Sequence, residues 1–248
     1  VAHLSISTRR AASAMGAARH WRPDPMARLK APIGIFGGTF DPVHFGHLRS
    51  AFELKQALSL AQIRFIPCGN PPHRAAPIAE AALRVEMLRC ATRQRPGFVV
   101  DDREVQRPGL SYTVDTLDSL REEFPATPLC LIVGMDSFLS LPKWYHWQRI
   151  LDLAHVVVAH RPGWQAPGDG ALGQLLTDRG TELVADLHAA LAGLIFVHEV
   201  TQLEIASTGI RALIAEGHDP QFLMPDCVAT LIREAGCYGS TPGKDNET

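Results

Sequence analysis

The stretch from Ile33 to Leu48, Ile-Gly-Ile-Phe-Gly-Gly-Thr-Phe-Asp-Pro-Val-His-Phe-Gly-His-Leu, constrains this chain more than any other. Ile33 to Phe36 is an apolar run of the kind that forms a short strand buried in a parallel sheet. Gly37 and Gly38 follow, and the missing Cβ lets the backbone turn sharply and approach a ligand closely. Beyond Pro42, the good helix formers from Leu48 to Leu58 predict a helix. The free N–H groups of its first turn would point back at the strand ends, where open α/β sheets bind anions. His44 and His47 stand three residues apart, so within one helical turn they would present both rings on one face. The stretch therefore predicts a phosphate-handling site.

The rest of the composition narrows the classes. A chain of 248 residues with 46% hydrophobic and 20% charged residues is an ordinary globular sequence, long enough for one large domain or two small ones. The formal net charge of -2 gives no global electrostatic case for nucleic acid or an anionic membrane as partner. No apolar run approaches the roughly 18 to 20 residues of a membrane span. The five cysteines, Cys68, Cys90, Cys130, Cys227 and Cys237, form no Cys-X-X-Cys pair, which suits a reducing, cytoplasmic setting with free thiols. Val1 to Lys30 carry Arg9, Arg10, Arg19, Arg22, Arg28 and Lys30 against the single acid Asp24. That composition reads as a transit peptide or, more simply, as an upstream extension ahead of Met26. The expected layout is a disordered extension over 1–31, one domain over 32–238 and a flexible tail over 239–248.

Along the chain, strands are expected at Gln62–Cys68, Phe98–Val100, Leu129–Val133, Val156–Ala159 and Ile195–Val200. Helical spacing runs from Ala79 to Arg93. Ser111 or Thr113 is placed to cap a helix ending before Pro125. Residues 164–178 read as a long loop with some helix, followed by helices near Thr181–Ala192, Thr208–Glu216 (closed by Gly217) and Pro225–Glu234. Strands alternating with helices predict a doubly wound, Rossmann-like α/β fold: a parallel sheet with helices on both faces.

The glycine turn matches neither the P-loop nor the dinucleotide fingerprint. Gly-Gly-Thr-Phe-Asp-Pro followed by His-X-Gly-His instead closely resembles the signature of the nucleotidylyltransferase superfamily. A second match, Glu204-Ile205-Ala206-Ser207-Thr208-Gly209-Ile210-Arg211, resembles that family's Ile-Ser-Ser-Thr-X-Ile-Arg element, with Ala206 in place of the first serine. Between these anchors lie Pro71-Pro72-His73-Arg74, Ser111-Tyr112-Thr113, Gly134-Met135-Asp136-Ser137, Trp144-Tyr145 and Arg161-Pro162-Gly163. Their order is similar to that in bacterial nicotinate-nucleotide adenylyltransferases, and the resemblance spans Ile33 to Tyr238.

The resemblance implies adenylyl transfer from ATP to nicotinate mononucleotide, giving nicotinate adenine dinucleotide and pyrophosphate. It implies catalytic roles for His44, His47 and Arg211. ATP would meet Gly37, Gly38, Thr39, Phe40, His44, His47, Gly134, Asp136, Ser207, Thr208 and Arg211. The mononucleotide would meet Asp41, His73, Arg74, Thr113, Trp144, Tyr145 and Arg161. Mg²⁺ would arrive with ATP, with no permanent cofactor and no protein-bound metal; His44, His47, His73 and Cys68 lack the spacing of a zinc site. The expected partners are these small molecules, with a homo-oligomer left open. Three other readings stand beside this one: an amide or phosphopantetheine acceptor, a non-catalytic nucleotide-binding regulatory module, and a dehydrogenase-like domain that lacks its glycines.

Overall fold

The structure is a computed structural model that describes residues 29–72, 76–160, 168–201 and 203–239. In chain order the elements are β1 (Ile33–Gly38), α1 (Phe45–Ala57), β2 (Gln62–Pro67), α2 (Ala81–Thr92), β3 (Phe98–Val100), α3 (Arg103–Gln106), α4 (Thr113–Glu123) and β4 (Leu129–Gly134). Then follow α5 (Met135–Ser140), α6 (Trp147–Leu153), β5 (His155–His160), α7 (Gly170–Arg179), β6 (Gly180–Thr181), α8 (Val184–Ala189), β7 (Ile195–Glu199), α9 (Ser207–Ala215) and α10 (Asp226–Glu234).

All neighbouring strands are parallel and form one seven-stranded sheet in the order β3-β2-β1-β4-β5-β7-β6. β4 shows why two layers of helix are needed. Its side chains alternate, so Leu129, Leu131 and Val133 enter one core while Cys130 and Ile132 enter the other. On the Cys130 side the sheet is covered by α1 through Ala51 and Leu54, α2 through Met87 and Leu88, and α10 through Val228 and Ile232. On the other side lie α4 through Val114, Leu117 and Leu120, α5 through Phe138, and α6 through Ile150. The predicted doubly wound fold is the fold observed.

Local expectations fare unevenly. Gly217 closes α9 as expected: at φ 78° it donates to Ile214 O at 3.0 Å while His218 N–H reaches Leu213 O at 2.9 Å, the paired bonds of a Schellman turn. The cap of α4 does not form. Tyr112 occupies that position without a side-chain bond, and Ser111 Oγ instead accepts Asn70 N–H at 3.2 Å. Within the stretch expected as a long loop with some helix, α7 spans Gly170–Arg179, and residues 164–167 lie outside the described residues. Thr181 is in the edge strand β6, where its hydroxyl lies 2.5 Å from Asp186, and the helix predicted there shortens to α8. No described helix is long and apolar enough to cross a membrane. All five cysteines are free thiols.

Candidate active site

The sheet order makes β1 and β4 neighbours, with Phe36 opposite Ile132. The chain leaves β1 for α1 on one face and leaves β4 for α5 on the other. Strand order thus reverses between β1 and β4, and the crevice beyond their carboxyl ends is where open α/β sheets take ligands. The exposed Gly37 sits there, and a Cβ added to it or to Gly134 would meet nothing within 4 Å.

The turn out of β1 differs from the sequence expectation. Gly37 and Gly38 still belong to the strand, and the reversal falls on Phe40, a non-glycine at φ 51°. Its ring is 1% exposed and packs edge-on against Phe36, His47 and Phe65. That packing holds the left-handed backbone, and it explains Gly38: a Cβ there would stand 3.0 Å from the Phe40 ring. The Phe40 side chain is therefore core, and only its backbone faces the crevice.

His44 is the N-cap of α1, with extended backbone, and does not share the first turn with His47 as expected. The rings meet nonetheless. Their centroids are 3.8 Å apart at an interplanar angle of 28°, and Gly46 has no Cβ where the His44 ring would strike it at 3.0 Å. Both Nδ1 atoms are buried without a hydrogen-bond partner among the described residues. Burial pushes the His44 pKa down to about 4 and holds His47 well below the usual histidine range, with the neighbouring His44 adding to the effect. Both rings are accordingly neutral at pH 7, each with an N–H donor to offer. An unmatched buried polar atom costs about 1–3 kcal/mol, which a ligand placed here would recover.

The rest of the turn is fixed from within. Asp41, 4% exposed, accepts Ile78 N–H at 2.9 Å, Ala79 N–H at 3.0 Å and the Tyr238 hydroxyl at 2.7 Å. These three donors make the Asp41 carboxylate an internal anchor of the turn, a role that the expected mononucleotide contact did not include. Arg84, 1% exposed, donates to Thr39 O at 2.8 Å and Ala79 O at 3.2 Å and sets its charge against Asp41. Sequence reading missed both Arg84 and Tyr238, because neither lies in a motif and their partners are distant in the chain.

The start of α9 docks on the same turn. Ser207 Oγ donates to Pro42 O at 3.0 Å and Arg211 Nη1 to Asp41 O at 2.7 Å. No side chain caps α1 or α9, although Phe45 N–H at the start of α1 donates to Leu223 O at 3.0 Å, and the two helix N-termini lie beside the histidines with Thr208 exposed. Ser207 serves the docking rather than offering a free hydroxyl.

Across the crevice, α5 starts directly at the end of β4, with Gly134 as its N-cap and the exposed Asp136 in its first turn; Asp136 does not cap the helix. Trp144 is half-buried, packs on the α4–α5–α6 core and donates Nε1–H to Ser140 Oγ at 3.2 Å. Tyr145 is 49% exposed and stacks against Tyr112 with centroids 4.5 Å apart, next to Thr113 at the start of α4. Tyr112 is a residue the motif reading passed over. His73, Arg74 and Arg161 lie outside the described residues.

Comparison with known proteins agrees with this architecture. A family model described as Cytidylyltransferase-like matches residues 35–213, and this sets the class. Within it, the probable nicotinate-nucleotide adenylyltransferase of Aeromonas hydrophila subsp. hydrophila is 49% identical over 210 residues, 85% of this chain and 98% of that protein. The protein of that name from Acidithiobacillus ferrooxidans is 49% identical over 207 residues, 83% of this chain and 95% of its own. The chain belongs to the bacterial nicotinate-nucleotide adenylyltransferase family. Among solved structures, Plasmodium falciparum nicotinic acid mononucleotide adenylyltransferase complexed with NaAD superposes with a TM-score of 0.65 over 84% of this chain and 98% of that one. At 14% identity that likeness speaks for the fold.

Proposed function

We propose that this protein transfers the adenylyl group of ATP to nicotinate mononucleotide, releasing pyrophosphate, as a step in NAD biosynthesis. One observation carries the reading beyond family membership: two stacked, neutral imidazoles, His44 buried and His47 half-buried, whose buried Nδ1 atoms have no partner among the described residues, stand at the strand-order reversal beside the N-termini of α1 and α9, neither of which a side chain caps.

The chemistry asks little else of the protein. The acceptor's 5′-phosphate is already ionised at neutral pH and attacks the α-phosphorus of ATP in line; the new P–O bond forms as the bond to pyrophosphate breaks. Catalysis then consists of aligning two anions and stabilising charge on the α-phosphoryl group and the leaving pyrophosphate. His44 and His47 donate to the transferring group. Arg211 and the exposed Thr208, with the α9 N-terminus, hold the triphosphate, while Gly37, Gly38, Thr39 and Gly134 let the nucleotide approach the backbone. Asp136 completes the ATP side. Tyr145 and Tyr112 offer a flat surface to the nicotinate ring, with Thr113 and Trp144 beside it. His73, Arg74 and Arg161 are assigned to the mononucleotide phosphate on sequence grounds.

Among the described residues, no group of three or more His, Cys, Asp or Glu side chains is placed to hold a metal ion. Mg²⁺ is taken to enter with ATP as part of the substrate, held by triphosphate oxygens and water, where it would shield their charge. Residues 32–238 are taken as the catalytic domain. The direct test is pyrophosphate release from ATP with nicotinate mononucleotide or its amide analogue. Rapid release and dinucleotide formation with the acid is the expected result. Turnover with the amide alone would reassign the acceptor, and no release with either would refute the activity.

A further inference from the structure

Helices α2 and α10 pack side by side on one face of the sheet, and their seam holds two cysteines that the adenylyl-transfer site does not use. On α2, Leu83, Met87, Cys90 and Ala91 recur at helical spacing and pack into the core that Val228 and Ile232 of α10 also enter. Cys90 is half-buried in that seam, and Cys227 stands exposed in the first turn of α10. The Cys90 thiol donates to Met87 O at 3.3 Å and is also in hydrogen-bond contact with the Cys227 sulfur. Two residues far apart in the chain thus bring their sulfurs together across a helix pair that the core holds in place.

The two thiols differ in access. Burial first, and then the neighbouring Cys227 sulfur, push the Cys90 thiol up to about 12, so it keeps its proton at neutral pH. Cys227 is open to a soluble reagent. The remaining cysteines are less so: Cys130 is fully buried, while Cys68 is half-buried and pushed up to about 11 by burial and by Glu104.

We propose that Cys90 and Cys227 form an oxidisable pair that closes into a disulfide and staples α2 to α10. The oxidant is a low-molecular-weight disulfide. The Cys227 thiolate attacks one of its sulfurs, a mixed disulfide forms, and the other half leaves as a thiolate. Cys90 then gives up its proton and attacks the Cys227 sulfur, and the second half leaves. One protein S–S bond replaces one small-molecule S–S bond, and the two protons lost by the cysteines end on the two released thiols. The first step also eases the second, because Cys227 in the mixed disulfide no longer carries the charge that helps keep Cys90 protonated.

The staple would join two supports of the turn after β1. α2 carries Arg84, bonded to Thr39 O at 2.8 Å, and α10 leads into Tyr238, whose hydroxyl donates to Asp41 at 2.7 Å. A cross-link closing so long a loop restricts the unfolded chain far more than the folded one, so its expected effect is on stability.

The test is to incubate the purified protein with oxidised glutathione, alkylate the remaining thiols and map the tryptic peptides. A peptide pair linked through Cys90 and Cys227, released again by dithiothreitol, is expected, with a melting temperature about 5–10 °C above that of the reduced protein. Cys90→Ser and Cys227→Ser are expected to show neither the link nor the rise. Because Cys227 is exposed, Cys227→Ser carries the comparison even where Cys90→Ser does not fold. Glutathione that stays on Cys227 without ring closure, a link through any other pair of cysteines, or no reaction at all would overturn the proposal. A Cys90–Cys227 link that leaves the melting temperature unchanged would equally overturn the staple.

Discussion

At the phosphate end of the site, His44, Asp41 and Arg84 are 5%, 4% and 1% exposed, whereas at the ring end Tyr145 is 49% exposed. Asp41 is locked by hydrogen bonds from α9, the 78–79 segment and Tyr238, Arg84 by its bonds to Thr39 O and Ala79 O, and His44 by its stack on His47. Tyr145 has ring contacts with Tyr112 and His146 among the described residues. Moving a phosphoryl group needs donors fixed to within a fraction of an ångström, because their contribution depends on being in place before charge develops. Holding a flat ring needs area, and an aromatic stack supplies it without a fixed network. Damage at the two ends should therefore look different: lost turnover at one, lost affinity at the other.

The largest effect expected from that contrast is at His47. His47→Ala should lower kcat about 10³-fold with the KM for ATP changed no more than about threefold, read by steady-state pyrophosphate release. Turnover near wild type would remove the phosphate end as the seat of catalysis. The next effect is on stability. A histidine whose folded pKa is about 4 rather than 6.5 leaves the unfolded chain binding the extra proton between those values. Stability is then fully present above pH 6.5 and falls as pH drops toward 4, by about 3 kcal/mol for His44 at about 1.4 kcal/mol per unit. His47 is shifted in the same direction. Urea midpoints from pH 7.5 to 4.5 should show the decline, and His44→Gln should flatten it; an unchanged slope would mean His44 is not buried as neutral imidazole.

Smaller effects probe the open surfaces. Gly37→Ala introduces a methyl into space with no protein atom within 4 Å, so its melting temperature should hold while the KM for ATP rises about 10-fold. Loss of stability with unchanged KM would place Gly37 in the fold rather than the site. Tyr145→Ala, last in size, should raise the KM for nicotinate mononucleotide about fivefold at nearly constant kcat and stability. A large fall in kcat would erase the distinction between the two ends.

The sequence made the phosphate end legible in outline, because a glycine pair, a proline and two histidines act locally and leave a local pattern. Strand positions and the doubly wound class were legible for the same reason: apolar runs such as Leu129–Val133 report burial on both faces. What sequence hid is everything that depends on distant partners. Asp41 reads as a motif residue facing substrate, and nothing local shows that its carboxylate is also held by Tyr238 and by amides at 78 and 79. Phe40 reads as part of a ligand loop, yet its ring fills the core beneath that loop. Arg84 sits in an ordinary helical stretch, and nothing local marks it as a buried cation. Tyr112 escaped for a milder reason, since its partner Tyr145 comes from the next crossover.

The central claim is that His44 and His47 act as neutral donors to a phosphoryl group passing directly between substrates, and histidine is itself a competent nucleophile toward phosphorus. The stereochemistry at the α-phosphorus separates the two roles. With ATP carrying a chiral α-thiophosphate, a single in-line displacement by nicotinate mononucleotide predicts a dinucleotide of inverted configuration. Retention would show two displacements through an adenylylated side chain and would contradict the account.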